Sequence, residues 1–332
     1  MSSYLLRNNC LLLIKQIYCP ELFDSKLSYD YMTLISVILV TYNGRNIMTD
    51  TIESVLDSKY GDLELVIVEN GSDDGSLEYL RKKYGRNKRV KLVVLDHNQG
   101  MVGGWMAGVK KAKGEKLLFL TNDVVLDSDC IDWMLKLAGK DSRWLVQPKV
   151  LFADGNTIDN VGGEYRLGVG RVRGRGQLDR GQYQQDRQLD FAASAVYLID
   201  ANFYHQLGGY DAWFKYYYED VDLGLRARSH GGWIWYCHQA VAYHQGEMTV
   251  KRVARPAEVS YHVRKNMVWT VINNFTGVEL VVRLMGIELF ILGQLLFDTL
   301  RLNWDMVGAT LRSQRAVWEK LGTASPKSGV LG

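Results

Sequence analysis

Proline, cysteine and net charge are all scarce in this chain. Four prolines in 332 residues exclude a proline-rich stalk or a stiff linker between large domains. The four cysteines (Cys10, Cys19, Cys130 and Cys237) stand far apart with no CxxC pair. Neither a disulfide scaffold nor a cysteine zinc site is therefore expected, and a reducing, cytoplasmic setting fits. Forty Lys and Arg against 37 Asp and Glu leave a net charge of +3, without the basic excess that marks a nucleic-acid-binding domain. No uncharged apolar run reaches the ~18 residues of a spanning helix, so a soluble or membrane-surface protein is expected. Glycine, by contrast, is abundant at 32 residues, and suggests many tight turns. The hydrophobic fraction of 47% and charged fraction of 23% are those of a globular protein and exclude wholesale disorder. The length suits about two domains, or one large α/β unit with an appendage.

The first 32 residues form an extension that does not join the later pattern. Its apolar stretch over 4–18 is broken by Arg7, Asn8 and Asn9, and no small-residue cleavage site follows, so a signal peptide fits poorly. It reads equally as a helix lying on the domain or on a membrane, and Met32 offers a second start site. From Leu34 short β and α patterns alternate. Strands are expected at Leu34–Val40, Leu63–Val68, Val90–Leu95 and Lys116–Leu120, with helices between them. Repeated βα units of this length predict a doubly wound, mostly parallel sheet with right-handed crossovers. Past Val150 the alternation weakens. Residues 162–188 hold Arg166, Arg171, Arg173, Arg175, Arg180 and Arg187, which read as a solvated hairpin or as a basic segment closing on an anion. Phe191–Ile199 and Trp233–Tyr243 read as strands, Ala201–Leu207 and Glu219–Ser229 as helices. The region 251–332 is helical in pattern. Its segment 278–302 is strongly apolar but interrupted by Glu279, Arg283, Glu288, Asp298 and Arg301. It is expected to pack on the domain, pair with a second copy, or lie in the lipid interface. Arg264, Lys265, Arg283, Arg301, Arg312 and Arg315 are candidates to meet anionic headgroups.

In open α/β sheets ligands collect beyond the carboxyl ends of the strands. Here those ends read Thr41-Tyr42-Asn43-Gly44, Glu69-Asn70-Gly71-Ser72-Asp73-Asp74-Gly75 and Thr121-Asn122-Asp123. A phenol to stack on a base, a carboxylate to accept from it and a later carboxylate for a metal together describe a nucleotide pocket. Asp, Asn and Gly also end strands for turn reasons alone. A Walker loop is absent, which argues against a P-loop NTPase. Glu219, Asp220 and Asp222 crowd three carboxylates at a helix start, where the helix dipole also favours acidic residues.

The runs SVILVTYNG, VIVENGSDDGS, NQGMVGGWMAG, FLTNDV, LGGYDAWFKYYYEDVDLGLR and VAYHQGE follow one another over residues 34–250. In that order they resemble the family 2 glycosyltransferases of the GT-A fold, most closely a rhamnosyltransferase-like branch. The resemblance implies a catalytic domain over 33–250 that moves a sugar from a nucleotide-sugar donor to an acceptor hydroxyl. The acceptor would be a glycan or a lipid-linked saccharide, at the inner face of the cell membrane. Thr41, Tyr42, Asn43 and Glu69 fall at the family's nucleobase-binding positions, with glutamate where an aspartate is usual. Asn98, Gly100, Asn122 and Asp123 fall on the donor side. Asp123 matches the last aspartate of the DxD-like element, and His244 the histidine that completes a Mg²⁺ or Mn²⁺ site. Trp105 departs from the asparagine common at its position. Asp220 takes the place of the base and Glu219 of its neighbour, with Asp222 structural. One base without a second nucleophile implies a single displacement with inversion.

Two other functions compete. A nucleotidyltransferase would place a glycine- and arginine-rich loop with a lysine after its first strand, and TYNG lacks it. A catalytically silent sugar-nucleotide-binding protein would keep the pocket and lose the base.

Overall fold

Seven consecutive buried residues, Ile35–Thr41, form β1. The computed structural model describes residues 33–139, 141–193, 195–245 and 255–323. The N-terminal extension, with Met32, and residues Gly246 and Glu247 lie outside them. Strand β2 (Leu63–Glu69) is as fully buried as β1, as a β-branched run covered on both faces should be. Strands β3 (Val90–Val94) and β4 (Lys116–Thr121) complete the first half. Ile35 faces Leu63 on one side and Lys116 on the other, all in parallel register. Helices α1 (Met48–Leu56), α2 (Ser76–Tyr84) and α3 (Gly100–Val109) make the crossovers. α3 lies unusually close to β1. A Cβ on Gly104 would fall 2.6 Å from Val40 Cγ1, and one on Gly108 would fall 2.4 Å from Ile38 Cγ2. Those two glycines therefore set the helix–sheet distance.

The second half departs from simple alternation. β5 (Val124–Leu126), α4 (Cys130–Ala138), β6 (Trp144–Phe152) and β7 (Ile158–Asn160) follow. Next come a hairpin of β8 (Gly163–Arg166) with β9 (Val169–Val172), the short β10 (Arg187–Gln188) and β11 (Val196–Asp200). Helix α5 (Ala201–Gln206), helix α6 (Glu219–Ser229) and β12 (Trp233–His244) close the sheet. The order is β10-β12-β6-β11-β4-β1-β2-β3 in a ten-stranded sheet, with β5 on β12 and β7 on β6. β11 runs antiparallel to both β4 and β6, whereas β12 runs parallel to β6. The expected mostly parallel sheet is thus joined to a second half through one antiparallel strand. The strand expected over Phe191–Ile199 begins only at Val196, because Phe191 instead bridges to Gly163 of the hairpin.

Three helices pack beyond the sheet: α7 (Pro256–Asn274), α8 (Gly277–Leu300) and α9 (Trp304–Thr323). A buried pair, Arg264 Nη2 to Asp298 Oδ2 at 3.1 Å, ties α7 to α8. α8 corrects one expectation. It is 24 residues long and holds an 18-residue stretch of mean hydropathy 2.0, enough to cross a membrane by length and composition. Its interruptions are turned aside: Arg283 pairs with Glu279 and lies 4.1 Å over the Phe275 ring, Glu288 engages Gln314 of α9, and Asp298 is buried. Val278, Val281, Val282, Met285, Leu289, Leu292, Leu296 and Leu300 are left exposed. Two basic residues expected at a headgroup layer are buried instead: Arg264 against Asp298, and Lys265 with its Nζ 3.6 Å from the Trp213 ring centroid.

Candidate active site

The loops after β1, β2 and β3 are sewn together by their own polar side chains. The Asn43 amide donates to Ser72 Oγ at 2.9 Å, and Asn43 Oδ1 accepts from Asp73 N at 3.0 Å. Asn43 sits at φ +50°, a conformation asparagine tolerates better than most residues. Glu69, 1% exposed, accepts from Ser72 N at 2.8 Å. Asn98 Oδ1 gathers three donors: Gly100 N at 2.8 Å, Tyr216 Oη at 3.1 Å and Asn70 Nδ2 at 3.3 Å. Gly100 has φ +80°, and a Cβ there would strike Lys215. Tyr42 is partly exposed beside these loops, where a ring is free to stack. Thr41 is fully buried, and its hydroxyl accepts from Asn122 Nδ2 at 3.0 Å beneath Gly44. Thr41 and Asn122 therefore support the loop floor with their side chains. Trp105 is also core: it is fully buried and stacks on Tyr210 with centroids 5.5 Å apart.

Asp123 and His244 come together across the sheet. Val124 of β5 pairs with His244 of β12, so the backbone ladder itself brings Asp123 beside the histidine. His244 Nε2 stands 3.2 Å from Asp123 Oδ2, and Nδ1 stands 3.1 Å from Asp159 Oδ2. Burial would lower the imidazole, but its hydrogen bonds to the two carboxylates prevail and raise it to about 9. Asp159, at the head of the opposite ring nitrogen, is 1% exposed. Burial pushes its carboxyl up, yet the His244 bond and the charges of His244 and Arg175 outweigh this and hold it below the ordinary value. It also accepts from Asn160 Nδ2 at 3.0 Å and lies 3.1 Å from Arg175 Nη1. Behind it, Asn160 Oδ1 accepts from Gln147, whose own Oε1 accepts from Ala193 N at 2.6 Å. A buried polar chain thus runs from the β11 approach to Asp123.

This arrangement fits a divalent cation. An imidazole whose Nδ1 is held by a carboxylate presents Nε2 in a fixed direction, the usual support for a metal-binding histidine. A cation that took up Nε2 beside Asp123 would displace a proton. Among the described residues there is no cluster of three or more His, Cys, Asp or Glu suited to a metal, so the protein offers a two-ligand corner.

Glu219 and Asp220 begin α6, with Glu219 3% exposed and Asp220 half-buried. Asp220 Oδ1 accepts from Val221 N at 2.8 Å. Asp222 accepts from Arg226 Nε at 2.8 Å and Nη2 at 2.6 Å, and from Asn274 Nδ2 at 2.8 Å. The arginine-rich segment is largely spent on carboxylates. Arg173 and Arg187 face Glu164 at 3.1 and 3.7 Å, and Arg175 faces Asp159. Of the two readings of this segment, the hairpin is the one that β8 and β9 form.

Residues 36–195 match the family described as glycosyl transferase family 2. The chain carries a family 2 glycosyltransferase domain. A Haemophilus influenzae protein described as an uncharacterized glycosyltransferase is 31% identical over 132 residues, covering 39% of this chain and 53% of its own. The poly-beta-1,6-N-acetyl-D-glucosamine synthase of Staphylococcus epidermidis is 32% identical over 102 residues, 31% of this chain and 24% of its own. The chain spans about half the length, or less, of these curated relatives. Two solved structures share the fold: GalNAc-T7 with UDP, GalNAc and Mn²⁺ (TM-score 0.58, 19% identity, 73% of this chain and 48% of that one), and the mannosyltransferase PcManGT of Pyrobaculum calidifontis with GDP-Man and Mn²⁺ (TM-score 0.55, 12% identity, 90% and 77%). The glycosyltransferase domain therefore has the GT-A fold. Sequence reasoning missed Asp159, which is buried against His244, and named Asn70 only as part of the second strand end. Asp159 lies 85 residues from His244, and no local pattern announces a partner at that separation.

Proposed function

We propose that this family 2 glycosyltransferase transfers a sugar from a nucleotide-sugar donor to a hydroxyl of a glycan or lipid-linked saccharide. The observation that carries the reading is the Asp123–His244 corner, set at the carboxyl ends of the strands where the Asn43, Glu69 and Asn98 loops converge. The nucleoside would lie along Tyr42 and the Glu69 loop. When bound, Mg²⁺ or Mn²⁺ at Asp123 and His244 would offset the charge of the leaving diphosphate. Asp220 acts as the base that takes the acceptor's proton while its oxygen attacks the anomeric carbon, and Glu219 supports it. One displacement inverts the anomeric carbon. The test is Asp220→Asn. Transfer should collapse while Mn²⁺-dependent binding of the donor persists, because a base acts in the transition state. Near-normal turnover would remove Asp220 from the role.

The protein is proposed to work at the inner face of the cell membrane, held there peripherally by α8. The supporting observation is that α8 directs its charged groups into contacts with the protein and its apolar side chains outward, a face larger than an isolated surface helix tolerates. The full chain should co-sediment with anionic liposomes, and Val282→Glu with Leu289→Glu should release it. A chain that ignores liposomes but sediments as a dimer, and becomes monomeric in that variant, would assign the face to a second copy.

A further inference from the structure

The turn that delivers Glu219 and Asp220 is built from backbone that side-chain-bearing residues avoid. Lys215, Tyr217 and Tyr218 have φ of +61°, +65° and +68°, in the left-handed region where a Cβ is crowded. Tyr218 is the N-cap of α6, and its side chain makes no capping hydrogen bond. Serine, aspartate or asparagine would ordinarily hold a helix start at that position. Within the turn, Tyr216 N donates to Phe214 O at 2.6 Å, a bond that leaves the carbonyls of residues 216 and 217 to other partners.

Their partner lies 49 residues on from Tyr217. Asn266 of α7 is fully buried, and its Nδ2 lies 3.0 Å from Phe214 O, 2.7 Å from Tyr216 O and 2.7 Å from Tyr217 O. Its Oδ1 has no hydrogen-bond partner. The amide is therefore present for its donors: two protons are shared among three carbonyls, and the reverse orientation would aim an oxygen at all three. Next to it, Lys265 Nζ donates to Trp213 O at 2.7 Å. Four carbonyls of residues 213–217 are thus tied to two adjacent side chains of α7. On its far side the turn meets the donor loops, since Lys215 O accepts from Val102 N at 3.2 Å and Tyr216 Oη donates to Asn98.

We infer that Asn266 is a positioning residue for the catalytic base: its amide holds the left-handed turn 214–218, and so fixes where α6 starts and where Asp220 points. The inference rests on Asp220 being the base. Strained backbone of this kind persists only where surrounding contacts over-determine it, and here those contacts come from a helix outside the sheet. Asn266 touches neither the Asp123–His244 corner nor the nucleotide loops, and the turn's own links to the donor side, Lys215 O with Val102 N and Tyr216 Oη with Asn98, do not involve it, so its effect is expected on the acceptor side.

The experiment compares Asn266→Ala with the unaltered chain by three readouts. These are Mn²⁺-dependent binding of UDP and GDP, steady-state release of nucleoside diphosphate from a donor, and amide hydrogen exchange over residues 213–222. The expected result is unchanged nucleotide binding, an increase in exchange confined to that segment, and a fall in kcat of about 100-fold, the scale of an ångström's misplacement of a reacting group. Lys215→Gly supplies a second test, because glycine adopts φ +61° without crowding. In that background the loss caused by Asn266→Ala should shrink. If Asn266→Ala does not fold, Asn266→Ser keeps one donor and should show the same pattern at smaller amplitude. Wild-type kcat and exchange in a folded Asn266 variant would overturn the inference, as would a loss that appears in nucleotide binding or is identical in the Lys215→Gly background. Failure of the base assignment is seen separately, as turnover retained by Asp220→Asn.

Discussion

Exchanging Asp159 for asparagine would change one atom and one charge in a buried network, and the consequence can be worked out. The carboxylate accepts from His244 Nδ1 at 3.1 Å and Asn160 Nδ2 at 3.0 Å, and faces Arg175 Nη1 at 3.1 Å. Breaking a buried ion pair by removing one partner costs about 3–5 kcal/mol. Arg175 is 43% exposed in its side chain, so it can rehydrate, and its share is small. His244, at 12%, cannot. The loss is then close to one charge-assisted hydrogen bond plus the poor amide–amide contact left at Asn160, about 2–3 kcal/mol in all. For a chain of 332 residues that is a fall in Tm of roughly 3–4 °C, measurable by circular dichroism. Independently, loss of the group that orients His244 should weaken Mn²⁺ binding about 10–100-fold, read by titration calorimetry in the presence of UDP. A Tm within about 1 °C of wild type together with unchanged Mn²⁺ affinity would refute the idea that Asp159 orients the histidine.

Three further outcomes are expected. Asp298→Ala should strand Arg264, whose side chain is 6% exposed; a cost of about 3–5 kcal/mol follows, and limited proteolysis should find new cleavage within α8 and α9. Burial raises the Glu64 carboxyl, but hydrogen bonds from Lys91, Ser36 and the Lys113 amide outweigh it and hold it below its usual 4.5. A depressed carboxylate stabilises the fold above its unfolded pKa, and the contribution fades as pH falls through the folded value. The urea midpoint should therefore drop on acidification below about pH 4.5, and drop less steeply in Glu64→Gln. Finally, a donor with a β-linked phosphate should yield an α-linked product and the reverse, seen in the anomeric couplings by NMR; retention would exclude a single displacement.

The first half of the fold was legible because β1, β2 and β4 are apolar runs bounded by turn residues, and their helices keep a clear face. β6 was not legible. Its sequence WLVQPKVLF puts Gln147, Pro148 and Lys149 in the middle of a strand that is almost wholly buried. Gln147 belongs there because it serves Asn160 and Ala193, and Lys149 because it pairs with Asp179 at 2.7 Å. These three partners lie 13, 46 and 30 residues away. The site shows the same division. Asp123, His244 and the Glu219–Asp220 pair were marked by motif order, whereas Asp159 touches His244 from 85 residues away and Asn266 touches the turn before α6 from 49. Asn266, directly after Arg264 and Lys265 in α7, looks like an ordinary polar helix residue until its three carbonyl partners are known. The hairpin reading of 162–188 was available from the sequence, but the carboxylates that Arg173, Arg187 and Arg175 meet, Glu164 and Asp159, were not.

The tie between Asn266 and the 214–217 carbonyls also sets an order in time. A ribosome adding about 5–20 residues per second needs several seconds to travel from Tyr217 to Asn266, which are separated by 49 positions. Every strand of the sheet precedes Asn266 in the chain, and His244 precedes it by 22 positions, so β5 and β12 leave the ribosome before the residue that holds the turn. The turn before α6 must wait. On the roles proposed above, the Asp123–His244 pair can therefore form before Asp220 is fixed in place.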